Sequence, residues 1–222
     1  MLISLLCFHI GTDTTAVTAT NAVWLLAHHP KIEQALIREV TGLSIRFKDE
    51  DLRQLKLLQG VVSETLRLNP PIGQGLPRHV PLGGAELCGY HIPEREVVGV
   101  QAYTMHRDPA VWSHPETFDP YRWDEASKDM LHSFYPFGGG SSGEELSPEI
   151  QLQRRGADLL LVCIGSHFAQ LELRHALANF YRTFEAGVKP SQAQGFSEAD
   201  MKPMGFFLSP PKGGRCLVER RK

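Results

Sequence analysis

Three groups of side chains in this 222-residue chain have the types and spacing for chemistry. Cys163-Ile164-Gly165 stands at the start of an apolar helical stretch. Free backbone N–H groups and the helix dipole favour a thiolate there, the form in which cysteine ligates metals. A buried, inert thiol is the alternative that the cysteine alone leaves open. Gly11-Thr-Asp-Thr-Thr15 interrupts an otherwise apolar helix with residues that weaken it. Glycine costs about 1 kcal/mol against alanine, and threonine hydroxyls compete for the i−4 carbonyls. A locally opened helix is expected, a defect that often marks a functional site. Glu64 and Arg67 are spaced i,i+3 and share a helix face. In isolation such a pair is a solvated surface contact worth under about 1 kcal/mol.

The elements that carry these groups follow from periodicity and punctuation. Residues 1–29 read as one buried helix, apolar almost all round. Pro30 suits the first position of a second helix, 30–41. A charged turn, Lys48-Asp-Glu-Asp51, opens a further helical stretch whose ExxR part spans about 55–68 and ends at Pro70-Pro71. Short β-type runs, Arg78–Leu82, Glu86–Ile92 and Glu96–Tyr103, predict one small antiparallel sheet over 76–104. Residues 105–162 read as mostly irregular. The last strong helix, 163–185, has Ala169, Leu173, Ala176, Leu177, Phe180 and Phe184 on one face. Phe206-Phe-Leu208 and Cys216-Leu-Val218 suggest a final hairpin within 200–219. The expected fold class is mainly α with a small antiparallel β portion.

Composition narrows the function classes. Lys+Arg is 23 against Asp+Glu 25, so no basic excess points to nucleic acid. No apolar run approaches the roughly 18 residues of a membrane span. The four cysteines, at 7, 88, 163 and 216, are too far apart for a CxxC metal site or a small disulfide scaffold. Reduced thiols and an intracellular protein are expected.

The order of the motifs is more specific than any one of them. A Gly-Thr-Asp-Thr-Thr helix is followed by the ExxR helix and Leu68-Asn-Pro-Pro71. Then come Pro115-Glu-Thr-Phe-Asp-Pro-Tyr-Arg-Trp123, the loop Phe137-Gly-Gly-Gly140, and Cys163-Ile-Gly165. This order resembles the C-terminal half of the cytochrome P-450 superfamily of haem-thiolate monooxygenases, over residues 3 to 218. The resemblance implies the haem-side half of that fold, haem b as cofactor, and Cys163 as the axial iron ligand. It implies that Gly165 lets the backbone approach the ring, that Gly11 makes room for the oxygen, that Phe137 and Gly140 also belong to the cofactor site, and that Arg78 partners a haem propionate, a surface arginine being the alternative. His79, His106 and Arg107 are further propionate candidates. Asp13 and Thr14 resemble an acid–alcohol proton relay, with a capping-like turn as the alternative. Glu64, Arg67 and Arg122 resemble a structural charge triad. The tail Met201–Leu208 resembles a region that can line a substrate pocket. Implied partners are a small hydrophobic organic substrate and an NADPH-cytochrome reductase, often at the endoplasmic reticulum membrane.

Two departures accompany the resemblance. The family's N-terminal half has no counterpart, so a truncated fragment is expected. The family's cysteine loop, F-x-x-G-x-R-x-C, places Phe and Cys seven positions apart. Here Phe137 and Cys163 are 26 positions apart, an excess of 19 that falls on residues 143–161. The pattern's arginine is replaced by Ser142, or its role passes to Arg154 or Arg155. The excess corresponds to 57 nucleotides and keeps the reading frame, so it reads as a translated intron, a surface insertion being the alternative. A truncated product that binds no haem is a rival to the monooxygenase reading. A P-450-type isomerase or lyase is a second, disfavoured by the Gly-Thr-Asp-Thr-Thr stretch.

Overall fold

A computed structural model describes residues 2–138, 163–205 and 208–221, with the side chains of 2–10 and Leu76 outside the description. Residues 143–161 and Gly140 therefore lie outside the described residues, as do Phe206 and Phe207.

The fold is a set of helices with short β ribbons at its margins. The first helix, α1, runs Leu2–His28. Pro30, with no N–H to leave unpaired, starts α2 (Pro30–Thr41). Two helices follow, α3 (Asp49–Arg53) and α4 (Lys56–Leu68). The long C-terminal helix, α7 (Ser166–Thr183), packs against α1 to α4. Ala22, Leu26, Leu36, Val40, Leu58, Val61, Leu173 and Leu177 fill the space among them and are buried. Ala176, expected on the apolar face of α7, is exposed, and the core positions beside it are Leu177 and Ala178.

Polar side chains from one helix satisfy the ends of another. The Glu39 carboxylate accepts from the N–H groups of Leu57 and Leu58 at 3.0 and 2.9 Å, capping the start of α4 from α2. Arg182 of α7 donates to the carbonyls of Val40, Leu43 and Ser44 at the end of α2. Arg174 holds Asp49 of α3 through two bonds of 2.8 and 2.9 Å.

The β portion differs from the expected single sheet. Strands β1 (Gly75–His79) and β4 (Val97–Gln101) pair antiparallel, and β2 (Ala85–Leu87) pairs separately with β3 (Tyr90–Ile92). Pro81 and Leu82 lie in neither ribbon. Tyr103 belongs to a short helix, α5 (Ala102–Met105). The stretch after α5 is not wholly irregular: it holds a 3₁₀ helix, Pro120–Glu125, and α6 (Lys128–Ser133).

The C-terminal hairpin is also corrected. Strand β6 (Val218–Arg220) pairs with β5 (Val188–Pro190), just after α7. The pairing is set by a buried carboxylate. Glu33 of α2, fully buried, accepts from Val188 N–H at 2.8 Å and from Arg221 Nε at 3.0 Å. Arg221 also donates to the carbonyl of Ala27 at 2.7 Å. A Cβ on Gly187 would collide with the Glu33 carboxylate, so only glycine permits this approach.

One more close approach positions the site. On α4, a Cβ added at Gly60 would collide with the carbonyl of Pro120. The 3₁₀ helix therefore rests directly on the α4 backbone, which brings Arg122 and Trp123 beside Glu64.

Candidate functional site

The ExxR pair is buried, not solvated. Glu64 and Arg67 have no exposed side-chain surface and make a bidentate contact, Arg67 Nε to Oε2 at 2.9 Å and Nη2 to Oε1 at 2.8 Å. Burying such charges is tolerated only when their remaining donors and acceptors are filled. They are. The Glu64 carboxylate also accepts from Arg122 Nε, the Asp119 N–H and Trp123 Nε1, each at 3.0 Å. Arg67 donates to the carbonyls of His106 and Pro115 at 2.7 Å and of Thr117 at 3.2 Å. Arg122 reaches the Ser113 carbonyl at 2.8 Å. Sequence reasoning missed Trp123 as a member. The signal available was that a largely buried indole N–H needs an acceptor.

His106 is part of the same cluster and not a propionate partner. It is fully buried. Its Nδ1 lies 3.0 Å from the Arg67 carbonyl and its Nε2 accepts the Tyr135 N–H at 2.7 Å. The carbonyl fixes the tautomer, with the proton on Nδ1. Burial pushes the imidazole down to about 4. His79 is exposed. Arg107 donates to the Leu68 carbonyl at 2.6 Å, pairs with Glu116 and stacks on Tyr103. It lines a separate cavity of about 400 Å³, together with Pro203, Met204 and Gly205 of the tail.

A larger cavity, of about 600 Å³, brings the other candidates together. Gly11, Thr12, Thr14 and Thr15 of α1 line it, and so do Cys163, Gly165, Phe168 and Ala169 of the cysteine segment. Arg78, Phe137 and the neighbouring Tyr135 and Pro136 complete much of the wall, with Pro71, Ile72 and Gln74. Asp13, by contrast, is exposed and not among the lining residues. Phe168, Glu172 and Ile72 are lining residues that the sequence did not single out.

The expected opening of α1 is absent. The helix is unbroken through Gly11–Thr15. Its threonine hydroxyls bond the carbonyls of the preceding turn: Thr15 to Gly11 at 3.0 Å and Thr18 to Thr14 at 2.9 Å. They add to the helical ladder there without interrupting it. The space beside Gly11 is open, since an added Cβ there would meet nothing within 4 Å.

Cys163 lies just before α7, whose N-cap is Gly165. Its N–H donates to the Phe137 carbonyl at 2.8 Å, and its carbonyl accepts from Ser166 N–H at 3.0 Å. Its side chain faces open space and belongs to no disulfide. Among the described residues no group of three or more His, Cys, Asp and Glu could hold a metal ion. A single thiol at the wall of an apolar cavity, with one arginine at its rim, suits a flat apolar ring whose metal takes one protein ligand and whose edge carries carboxylates. The residues present thus fit haem.

The comparisons agree with this geometry. The cytochrome P450 family model matches residues 3–142, and the chain belongs to that family. A cytochrome P450 monooxygenase of Aspergillus terreus, tazI, is 40% identical over 210 residues, covering 94% of this chain and 39% of that protein. The cytochrome P450 monooxygenase aflV of Aspergillus parasiticus is 33% identical over 213 residues, covering 94% and 38%. A solved structure of a retinoic acid-bound cyanobacterial protein, CYP120A1, superposes with a TM-score of 0.76 at 25% identity, covering 97% of this chain and 44% of that one. The chain therefore spans about two fifths of the length of the curated relatives it matches. Among the described residues no helix is long and apolar enough to cross a membrane.

Proposed function

We propose that this chain is the haem-holding portion of a monooxygenase that inserts one atom of O₂ into a small hydrophobic organic substrate and releases the other as water. NADPH, through a reductase, would supply the two electrons. The observation that carries this reading is the shared cavity: Cys163 and the Gly11–Thr15 turn, far apart in sequence, line the same space.

Haem held by a cysteine thiolate supplies oxygen binding and favours O–O cleavage. Cys163, placed just before the N-terminus of α7, would hold the iron through its sulfur. Arg78, half-buried at the cavity wall, would hold a carboxylate of the ring. Open space lies beside Gly11 of α1, and Phe137, Phe168 and Ile72 would give the ring an apolar wall. Thr14 would present a hydroxyl to that space and move a proton from its Oγ1, and the exposed Asp13 carboxylate would resupply it from solvent. Glu64, Arg67 and Arg122 would do no chemistry and fix α4 against the segment leading to the cysteine. Threonines on the cavity wall favour this over an isomerase or lyase, which needs no proton delivery.

The test is a carbon-monoxide difference spectrum of the full chain incubated with haem and reduced. A thiolate-type band that survives in Cys88→Ser and Cys216→Ser and disappears in Cys163→Ser is expected. No band in the unaltered chain would support the rival reading of a fragment that binds no haem.

A further inference from the structure

We infer that His106 is a positioning residue for the cysteine segment, a strut by which the buried Glu64–Arg67 cluster holds the backbone that receives Cys163. The connection is continuous. The His106 carbonyl accepts Arg67 Nη1 at 2.7 Å, and Nδ1–H donates to the Arg67 carbonyl at 3.0 Å. Nε2 then accepts the Tyr135 N–H at 2.7 Å. Two residues on, the Phe137 carbonyl accepts the Cys163 N–H at 2.8 Å.

Among the described residues, the side-chain hydrogen bond to residues 134–138 is the one from His106, and the Phe137 carbonyl is held by the Cys163 N–H. Phe134 packs on the imidazole and on Trp123, with ring centroids 5.5 and 4.5 Å apart. Those ring contacts fix a distance from the cluster but no register along the chain. The hydrogen bond to Tyr135 fixes the register, and Tyr135, Pro136 and Phe137 all line the large cavity. A fully buried imidazole with both nitrogens bonded holds one orientation, because rotating it would leave a donor and an acceptor unpaired. The inference rests on the reading of Cys163 as the iron ligand only for its consequence, since the hydrogen bonds stand without it.

Three substitutions separate the strut from simple packing. In His106→Gln the amide oxygen can reach the place of Nε2 and accept from Tyr135. In His106→Asn it reaches only the place of Nδ1. His106→Phe keeps the ring and loses both bonds. Amide hydrogen exchange of the full chain reads the Tyr135 and Cys163 N–H groups, with α4 amides as the internal measure of global folding. The expected result is exchange at Tyr135 at least about tenfold faster in the Asn and Phe variants, with Cys163 following, and within about threefold of the parent in the Gln variant. Protection of both amides unchanged in Asn and Phe, or lost equally in all three variants, overturns the inference. The carbon-monoxide band is measured in the same variants and in Cys163→Ser. A band that survives Cys163→Ser removes the ligand reading and leaves the exchange result standing. Unaltered exchange in Asn and Phe removes the strut and leaves the ligand reading untouched.

Discussion

The N–H of Cys163 donates to the carbonyl of Phe137 at 2.8 Å, although 26 positions separate the two residues. The two ends of the intervening stretch are thus already joined across one hydrogen bond. The family match ends at residue 142, one position before residues 143–161 begin.

Deleting residues 143–161 should therefore leave the fold intact. The shortened chain keeps both partners of the bond and closes a far smaller loop, which lowers the entropy lost on ordering it. A melting temperature equal to or above that of the parent is expected by circular dichroism. A drop of more than a few degrees would mean that the 19 residues contribute to the core. Spliced transcripts that retain all 57 nucleotides would show the stretch to be a true insertion and not an intron.

Removing one member of the charge cluster should cost far more than a surface pair. Arg67→Ala takes the bidentate partner from the buried Glu64 carboxylate, which keeps only Arg122, Trp123 and the Asp119 N–H, and removes the guanidinium donors to the carbonyls of His106 and Pro115. The expected loss is about 3–5 kcal/mol, enough to give insoluble protein. Arg107→Ala, which removes a partly exposed arginine, should remain soluble. Urea unfolding of soluble fractions compares the two, and a soluble Arg67→Ala protein with parental stability would remove the cluster from its structural role.

Stability should fall in mild acid because of His106. Its imidazole is held down to about 4, chiefly by burial and further by Arg67 and Arg107, against an ordinary value of 6.5. Between those values the unfolded chain binds a proton that the folded chain refuses, so acid favours unfolding. The contribution is complete above about pH 6.5 and lost as pH falls through about 4, a change of about 3 kcal/mol. Urea midpoints at pH 7 and pH 4.5 should show this drop in the parent, and a shallower one in His106→Gln. Equal slopes in the two proteins would mean that other groups carry the acid sensitivity.

The thiols should separate by environment. Burial pushes Cys216 up to about 11, whereas Cys88 is exposed at the tip of the β2–β3 hairpin. At pH 8, alkylation by iodoacetamide should be at least about tenfold slower at Cys216 than at Cys88, since the thiolate is the reacting form. Peptide mapping after a short reaction checks the order, and equal labelling would contradict the burial of Cys216.

For the haem-loaded protein, Thr14→Ala should keep the difference spectrum and alter the use of electrons. If the proposed relay holds, loss of the hydroxyl would mistime proton delivery, so that peroxide would be released and product would fall relative to NADPH consumed. The ratio of product to NADPH measures this, and an unchanged ratio would remove Thr14 from the relay.

What could be read in advance follows a physical divide. Glu64 and Arg67 were readable as a pair because helical spacing puts i and i+3 on one face, and their burial only through the family resemblance, since the spacing alone suits a solvated pair. The cavity position of Cys163 followed from the same ordered motifs. The strand partners were not readable: three-residue strands such as β5 and β6 carry no periodicity, and their pairing is decided by Glu33 and Arg221, which lie far apart in sequence. The place of His106 in the charge cluster was not readable because a lone histidine in an irregular stretch has no spacing to interpret. Its place comes from two backbone partners, Arg67 and Tyr135, that no local pattern connects. At Gly11–Thr15 the competition between hydroxyl and backbone was correctly anticipated but its outcome was not, because the hydroxyls joined the helical ladder.

The contact of Gly60 with the Pro120 carbonyl also bears on recombination with the relatives. The two segments meet backbone to backbone, so residues 56–68 and 115–125 should transfer between relatives as one block. Chimeras that take both segments from one parent should fold, whereas a crossover between residues 68 and 115 joins surfaces that never adapted to each other. Any parent with a side chain larger than hydrogen at the Gly60 position can contribute α4 only if it also contributes the 3₁₀ helix. The permissible crossovers in this fold are therefore set by a missing methyl group as much as by the charges it brings together.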